Sequence, residues 1–402
     1  MNVKEYIISH LHDTLRKKGR QEGARSLPYS YTAPCANGLF DDLYYWDTYF
    51  FNKALLLEGE EQRVRDNILD FCFLIEQYGF IPNSANFGMV NRTQVPYFIL
   101  MCDEYLSKYP SVARQKRLFP YRKKEYEFWM ANRLLPCGLN HYSGHADDHF
   151  LEEFSKVFTQ RVHTISHPEF DLKTIGHNAI AECESGWDFS SRFDQRCVDF
   201  APVDLNALLY LNEGILAKYS NSPTEKEQYL FAQKKRKEKR MKYRYKDGLF
   251  FDYDTKNKKT SSFYHCGMFY PFMADFPFVK KDFEKLCSKL IYPKGIAAAE
   301  KINDIHNYQW GFPNRWPNLA MVSFFSCLNV KENEIAKEIG LKYLSTIEEA
   351  YSETGCLWEK YDVLFGGKSR KNEYQDTERM GWTAGTYLVL ESECRRRGWI
   401  HE

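Results

Sequence analysis

The chain has 402 residues, a formal net charge of +1 and an aromatic content of 16%. This length exceeds the usual size of one hydrophobic core, so we expect either two domains or one large closed architecture. The near-zero net charge gives no general electrostatic reason to bind nucleic acid or an anionic membrane, which leaves neutral polar ligands open.

The N-terminal segment MNVKEYIISHLHDTLRKKGR carries a charge every few residues, which is not typical of a signal peptide or a membrane anchor. Eleven cysteines occur singly, without a C-x-x-C pair, and this indicates reduced thiols in a cytoplasm. Five histidines between His141 and His167 lack the spacing and acidic partners of a metal site. We therefore expect a cytoplasmic protein, a monomer or weak homo-oligomer, with no metal and no cofactor.

Apolar residues spaced three and four apart predict most of the chain to be helical. In chain order, such helices are predicted over 60–79, 95–110, 202–220, 222–245, 332–355 and 381–398. Ser222 and Pro223 are typical of a helix start, and Gly79 of a helix end. The run KKRKEKRMKYRYK within the fourth helix could bind a polyanion, but the neighbouring Glu225 and Glu227 favour a solvated helix face.

Roughly ten to twelve helices without a Pro/Ser-rich linker indicate an all-α protein with a single domain over residues 1–402. Antiparallel helix pairs can close into a ring whose connecting loops gather at one mouth. An open helical solenoid is the alternative, but the sequence has no repeat of fixed period.

Aromatic residues bunch with Gly, Pro and Asn in NGLFDDLYYWDTYFF, FIPNSANF, ESGWDFSSRF and YQWGFPNRW. A sugar ring has apolar faces and a rim of hydroxyl groups, so a carbohydrate site needs aromatic platforms beside amides and carboxylates. A single ring is more often part of the core, but four such clusters favour a small carbohydrate as the ligand.

Two carboxylates stand among these rings. Asp188 lies between Trp187 and Phe189, whose apolar surface would favour a protonated carboxyl group and thus a general acid. Glu359 follows Trp358 and precedes Lys360, a cation that would favour an ionised partner. Asp362 and Glu373 are alternatives for this second group.

Several segments resemble the motifs of the trehalase family of glycoside hydrolases and follow one another in the family's order. They are YYWDTYF, ESGWDFSSRF, PVDLNALLY, YQWGFPNRW, and EKYD followed by EY and GWT-x-G. The segment GFIPNSANFGMVNRTQVPYF is similar to another motif of that family. The resemblance extends from about residue 38 to residue 386.

The resemblance implies an (α/α)6 toroid and an inverting mechanism with Asp188 as general acid and Glu359 as general base. Inverting enzymes leave room for a water, so their carboxyl groups are about 6.5 to 9.5 Å apart. The same matching assigns sugar contacts to Phe40, Trp46, Asp47, Asn83, Arg92, Gln94, Gly186, Trp187, Trp310 and Glu373.

Three departures from the family pattern concern the substrate. Leu39 stands where the family has an arginine, and Gly311 stands where it has an aspartate. The family's second arginine motif is not recognisable in NHYSGHADDHFLEEF. Because a guanidinium makes forked contacts that other side chains do not imitate, the substrate is predicted to be trehalose or another small α-glycoside, such as a glycosyl-glycerate. A non-catalytic sugar-binding protein is the alternative from another class.

Overall fold

Helices dominate the computed structural model, which describes residues 1–19, 23–37, 40–303, 305–374 and 377–401. Thirteen α-helices lie in these ranges: α1 (Val3–Ser9), α2 (Tyr45–Leu57), α3 (Glu61–Tyr78), α4 (Phe98–Lys108), α5 (Val112–Asn132), α6 (Asp148–Val162), α7 (Leu172–Ser185), α8 (Val203–Tyr219), α9 (Pro223–Arg244), α10 (Lys280–Leu290), α11 (Pro317–Asn329), α12 (Asn333–Thr354) and α13 (Gly381–Arg396). Short 3₁₀ helices include Cys266–Met273.

The strands of the described ranges are two or three residues long: β1 (Leu15–Arg16), β2 (Tyr31–Thr32), β3 (Cys35–Asn37), β4 (Phe200–Ala201), β5 (Tyr245–Lys246), β6 (Leu249–Phe250), β7 (Tyr253–Asp254), β8 (Lys259–Thr260), β9 (Ile291–Tyr292), β10 (Gly295–Ile296), β11 (Asn314–Arg315), β12 (Tyr361–Asp362) and β13 (Glu378–Met380). All pairs are antiparallel. Pairing of β11 with β12 brings the segment around residue 360 beside the segment around residue 314.

Within the described part of the chain, six helical segments close a ring. Helix α2 packs against α4, α4 against α8, and α8 against the 3₁₀ helix Cys266–Met273. That helix packs against α11, α11 against α13, and α13 returns to α2. The ring is the inner layer of an (α/α)6 toroid, and the predicted fold is confirmed.

The outer layer covers this ring with amphipathic helices. Helix α1 packs on α13, α3 on α2 and α4, α5 and α9 on α8, and α12 on α11. Helix α10 contacts the 3₁₀ helix Cys266–Met273 through Phe283, whose ring centroid lies 4.9 Å from that of Phe272. Helices α6 and α7 follow α5 and precede α8 in the chain, and they pack chiefly against each other as a helical hairpin.

The helix ends follow the local sequence signals. Helix α3 ends at Gly79 with a φ of 79°, and α12 ends at Gly355 with a φ of 68°. The Ser222 side chain accepts the backbone N–H of Glu225 at the start of α9, as the predicted cap requires.

No helix among the described residues is long and apolar enough to cross a membrane.

The basic run of α9 is only partly solvated, and the prediction of a solvated face is wrong for its arginines. Arg236, Arg240 and Arg244 recur every four residues and are buried against the ring. Arg236 donates to Glu213, and the Arg240 guanidinium lies 3.8 Å from the centroid of the Phe276 ring. The planar arginine side chain packs on aromatic rings and pairs with carboxylates, so an arginine face can belong to a core while the lysines face outward.

Candidate active site

Loops and helix ends at one mouth of the ring surround a cavity of about 260 Å³. The start of α2, the end of α7 and the loops around residues 83–94, 310–316 and 359–374 contribute to it. The cavity is lined by Phe40, Tyr44, Trp46, Asp47, Asn83, Met89, Arg92, Gln94, Phe154, Arg161, Cys183, Gly186, Asp188, Trp310, Trp316, Glu359, Tyr374 and Trp382. The mixture of rings, amides and carboxylates suits a sugar better than an apolar ligand.

Packed tryptophans form the floor of the cavity. The rings of Trp310 and Trp316 stack with centroids 3.7 Å apart and planes inclined by 1°. Trp46 lies 5.5 Å from Trp310, and Trp382 meets the Trp316 ring edge-on at 5.5 Å. Trp187 packs behind Trp310 at 5.6 Å. The floor of the cavity is therefore apolar and tightly packed, and none of these tryptophans is more than 4% exposed.

Asp188 is brought to the cavity by the sharp end of α7. Gly186 ends the helix with a φ of 76°, and a Cβ added there would lie 2.5 Å from Cζ2 of Trp46. Glycine is the residue that permits both this backbone conformation and this close approach. Two residues later, Oδ2 of Asp188 accepts a hydrogen bond of 3.1 Å from Arg161 of α6.

Arg161 also donates to Glu373, at 2.9 Å from Oε2. Glu373 is buried, and its other oxygen accepts the backbone N–H groups of Gln309 at 2.9 Å and Phe189 at 3.3 Å. Burial raises the pKa of Glu373 to about 8, an effect that the Asp188 carboxylate strengthens and the Arg161 guanidinium opposes. The buried carboxyl thus gathers three donors from separate parts of the chain.

Glu359 is held at both carboxylate oxygens. Nζ of Lys360 donates to Oε2 at 2.5 Å, and the Tyr374 hydroxyl donates to Oε1 at 2.7 Å. The indole N–H of Trp382 donates to the Glu359 carbonyl at 3.2 Å. Since these donors fix the side chain in one orientation, Glu359 presents a positioned carboxylate to the cavity.

Asp47 is a further acidic group in the cavity. The pKa of Asp47 is raised to about 8, chiefly by burial and in smaller part by the nearby carboxylates of Glu359 and Asp188. At neutral pH such a group is largely protonated, so it can donate a hydrogen bond to a ligand oxygen. Among the residues that the structure describes, no group of three or more His, Cys, Asp or Glu side chains could hold a metal ion.

Amide and guanidinium groups complete the polar part of the wall. Oε1 of Gln94 accepts the backbone N–H of Trp46 at 3.0 Å, and Nδ2 of Asn83 donates to the Cys183 carbonyl at 3.4 Å. Nη1 of Arg92 donates to Oδ1 of Asn91 at 2.8 Å, whereas its buried Nε has no protein partner among the described residues. Gln94 thereby ties the wall to the tryptophan floor.

The structure brings most of the predicted site residues to this cavity. In the described part of the chain, Trp187 and Glu373 lie behind the wall rather than on it, because Trp187 packs under Trp310 and Glu373 is enclosed by its three donors. Leu39 lies outside the described residues. Gly311 is apart from the cavity lining, and a Cβ added there would meet only the Tyr308 backbone and side chain at ordinary distances.

Sequence reasoning missed several lining residues. Tyr44, Trp316, Tyr374 and Trp382 stand within motifs that the resemblance quotes, and their place beside assigned residues was a usable signal. Arg161 had no such signal, because it lies in the last turn of an ordinary amphipathic helix, where a basic residue is expected for solvation.

The family model described as Trehalase matches residues 3–394. The chain belongs to the trehalase family. It is 30% identical to the periplasmic trehalase of Pseudomonas aeruginosa, over 95% of this chain and 75% of that protein. It is 29% identical to a periplasmic trehalase of Escherichia coli, over 90% of this chain and 68% of that protein. The chain is a trehalase-type glycoside hydrolase.

Solved structures are similar in fold. Neutral trehalase Nth1 from Saccharomyces cerevisiae superposes with a TM-score of 0.77 at 24% identity, over 98% of this chain and 81% of that one. A GH63 mannosylglycerate hydrolase from Thermus thermophilus superposes with a TM-score of 0.63 at 14% identity, over 97% of this chain and 100% of that one. Both bacterial relatives of this trehalase-family chain are described as periplasmic, and its own predicted cytoplasmic location stays a prediction.

Proposed function

We propose that the chain is an inverting α-glycosidase that hydrolyses trehalose or a related small α-glucoside, with Asp188 as general acid and Glu359 as general base. The observation that carries the proposal is that both carboxylates line one tryptophan-floored cavity. Glu359 pairs with Lys360, and Asp188 pairs with Arg161 instead of standing against the apolar surface predicted from Trp187 and Phe189.

In the proposed reaction, the protonated Asp188 carboxyl transfers its proton to the glycosidic oxygen as the bond to the anomeric carbon breaks. The ionised Glu359 takes a proton from a water molecule, whose oxygen forms the new bond on the opposite face of the sugar. The leaving sugar departs as an alcohol, and the anomeric configuration is inverted. Asp188 ends ionised and Glu359 ends protonated, so a proton exchange with solvent restores the starting state.

The shape of the cavity supports a small glycoside. Its volume of about 260 Å³ is near the lower limit for small-molecule sites, which suits one or two sugar rings rather than a polymer. The stacked Trp310 and Trp316 supply an apolar platform, while Asp47 and Arg92 supply donors for ring hydroxyl groups.

The proposal is tested by Asp188→Asn and Glu359→Gln, which keep size and remove proton transfer. We expect each variant to lose about 10²- to 10⁴-fold in kcat and to remain folded, because positioned general acids and bases contribute that much. The matched control is Glu238→Gln, an exposed carboxylate of α9 paired with Lys235. Near-normal kcat in Asp188→Asn or Glu359→Gln would contradict the assigned roles.

The substrate is tested with a panel of trehalose, other α-linked disaccharides and glycosyl-glycerates. Proton NMR during the first turnovers reads the anomer of the released sugar before it equilibrates. From an α-glycoside we expect the attacked sugar as its β-anomer. From trehalose, whose two anomeric carbons are both α, an equal amount of α-glucose from the leaving sugar should accompany it. Release of the attacked sugar as the α-anomer, which for trehalose means α-glucose without β-glucose, would refute the inverting mechanism, and hydrolysis confined to glycosyl-glycerates would refute trehalose as the substrate while leaving the two roles intact.

A further inference from the structure

Arg161 joins two acidic side chains that come from distant parts of the chain. Its guanidinium donates to Asp188 at 3.1 Å and to Glu373 at 2.9 Å. The same group lies 4.6 Å from the centroid of the Phe189 ring, so it is packed as well as paired. Both carboxylates together raise the pKa of Arg161 in spite of its burial, and the guanidinium remains a permanent cation.

The second of these carboxylates leads directly to the proposed base. Glu373 is followed by Tyr374, whose hydroxyl donates to Oε1 of Glu359 at 2.7 Å. The Arg161 guanidinium also lies 5.7 Å from the centroid of the Tyr374 ring. A continuous set of contacts therefore runs from Asp188 through Arg161 and the Glu373–Tyr374 pair to Glu359.

The connection matters because the acid and the base belong to separate elements. Asp188 follows α7 of the hairpin outside the ring, whereas Glu359 precedes β12 at the mouth of the ring. Chemistry at a glycosidic bond requires both groups at a fixed separation, and small displacements lower the rate steeply. The planar guanidinium of an arginine can donate to two acidic side chains at once, whereas the ammonium group of a lysine does so less well.

We propose that Arg161 is a positioning residue, which holds the acid Asp188 and the base Glu359 at their working separation through Glu373 and Tyr374. The proposal rests on the proposed roles of Asp188 and Glu359. It assigns Arg161 a role in kcat rather than in sugar binding, although the side chain lines the cavity.

The kinetic test compares Arg161→Gln and Arg161→Lys with Arg196→Gln. Arg196 is a matched control, because it is also partly buried and also pairs with two carboxylates, Asp199 and Asp254, outside the cavity lining. We expect Arg161→Gln to lower kcat about 100-fold with a small change in KM, and Arg161→Lys to recover part of the loss. Arg196→Gln should keep kcat. A raised KM with unchanged kcat would make Arg161 a sugar ligand, and full activity of Arg161→Lys would refute the forked contact; either result overturns the proposal.

A second measurement does not depend on turnover. The backbone N–H groups of Phe189 and Gln309 donate to Glu373, so release of Glu373 should expose them. In Arg161→Gln we expect these two amides to exchange with deuterium about 10-fold faster, and in Arg196→Gln at the wild-type rate. Unchanged exchange overturns the positioning role whatever the activity. If the wild-type protein has no glycosidase activity and Arg161→Gln still exchanges faster, the contact of Arg161 with Glu373 is supported and the proposed function is refuted instead.

Discussion

Gly186→Ala is the sharpest test of how the site is built, because the new methyl group would enter the tryptophan floor. At this position a Cβ would lie 2.5, 2.7 and 2.8 Å from three atoms of the Trp46 ring. The ring has little room to move, because it is in contact with Phe50, Trp310 and Trp382 at centroid distances of 6.2, 5.5 and 6.2 Å. The methyl group must therefore displace either the floor or the end of α7, which carries Asp188.

The magnitude follows from two separate costs. An alanine in the left-handed conformation costs about 1 to 2 kcal/mol, and overpacking of a closed core costs about 1 to 3 kcal/mol. Gly79 is the matched control, because it ends α3 with a φ of 79° and a Cβ there would meet nothing within 4 Å. Gly79→Ala carries only the first cost, so the difference between the two variants should be about 1 to 3 kcal/mol.

The free energy of unfolding of both variants is measured by urea denaturation, and kcat is measured on the best substrate of the panel. We expect Gly186→Ala to be the less stable variant and to lose about 100-fold in kcat, whereas Gly79→Ala keeps wild-type kcat. Equal stability of the two variants together with equal kcat would show that the contact of Gly186 with Trp46 is unimportant, and the reasoning would be refuted.

Two further predictions concern buried charges. Burial raises the pKa of Asp70 to about 8. Between about pH 4 and pH 8 the folded chain therefore keeps a proton on Asp70 that the unfolded chain has released. The free energy of unfolding accordingly falls as the pH rises from about 4 to about 8. Asp70→Asn should remove about 3 kcal/mol of pH dependence between pH 5 and pH 7 in urea denaturation, and an unchanged pH slope would contradict the assignment. Arg192 donates to Asp204 and Asp252, both buried. Arg192→Met should cost about 3 to 5 kcal/mol of unfolding free energy, because two buried carboxylates lose their cation, and a loss below about 1 kcal/mol would contradict it.

Local signals were enough to predict six of the thirteen α-helices in the described ranges, namely α3, α4, α8, α9, α12 and α13. The periodicity over 202–220 and 332–355 matches α8 and α12 within one residue at each end, because the apolar stripe and the caps are properties of neighbouring residues. Closure of the ring depends instead on α13 packing against α2, across most of the chain. Periodicity does not encode such a pairing, and the toroid was predicted through the family resemblance.

The site was predictable where a motif carries it. Asp188 and Glu359 stand in motifs that place a carboxylate among rings, and both line the cavity. Arg161 and Arg240 escaped prediction for one physical reason. Each lies on a charged helix whose sequence looks solvated, and only the tertiary fold decides which arginine turns toward carboxylates or rings.

The tryptophan floor also offers an intrinsic fluorescence signal for ligand binding in the cavity. Four of the eight tryptophans of the chain, Trp46, Trp310, Trp316 and Trp382, line the cavity, and Trp187 packs behind Trp310. A ligand in the cavity would therefore lie beside half of the tryptophans of the chain. A sugar that replaces water against Trp46 and Trp310 changes the polarity around these emitters, so occupancy of the cavity can be followed in the unlabelled protein.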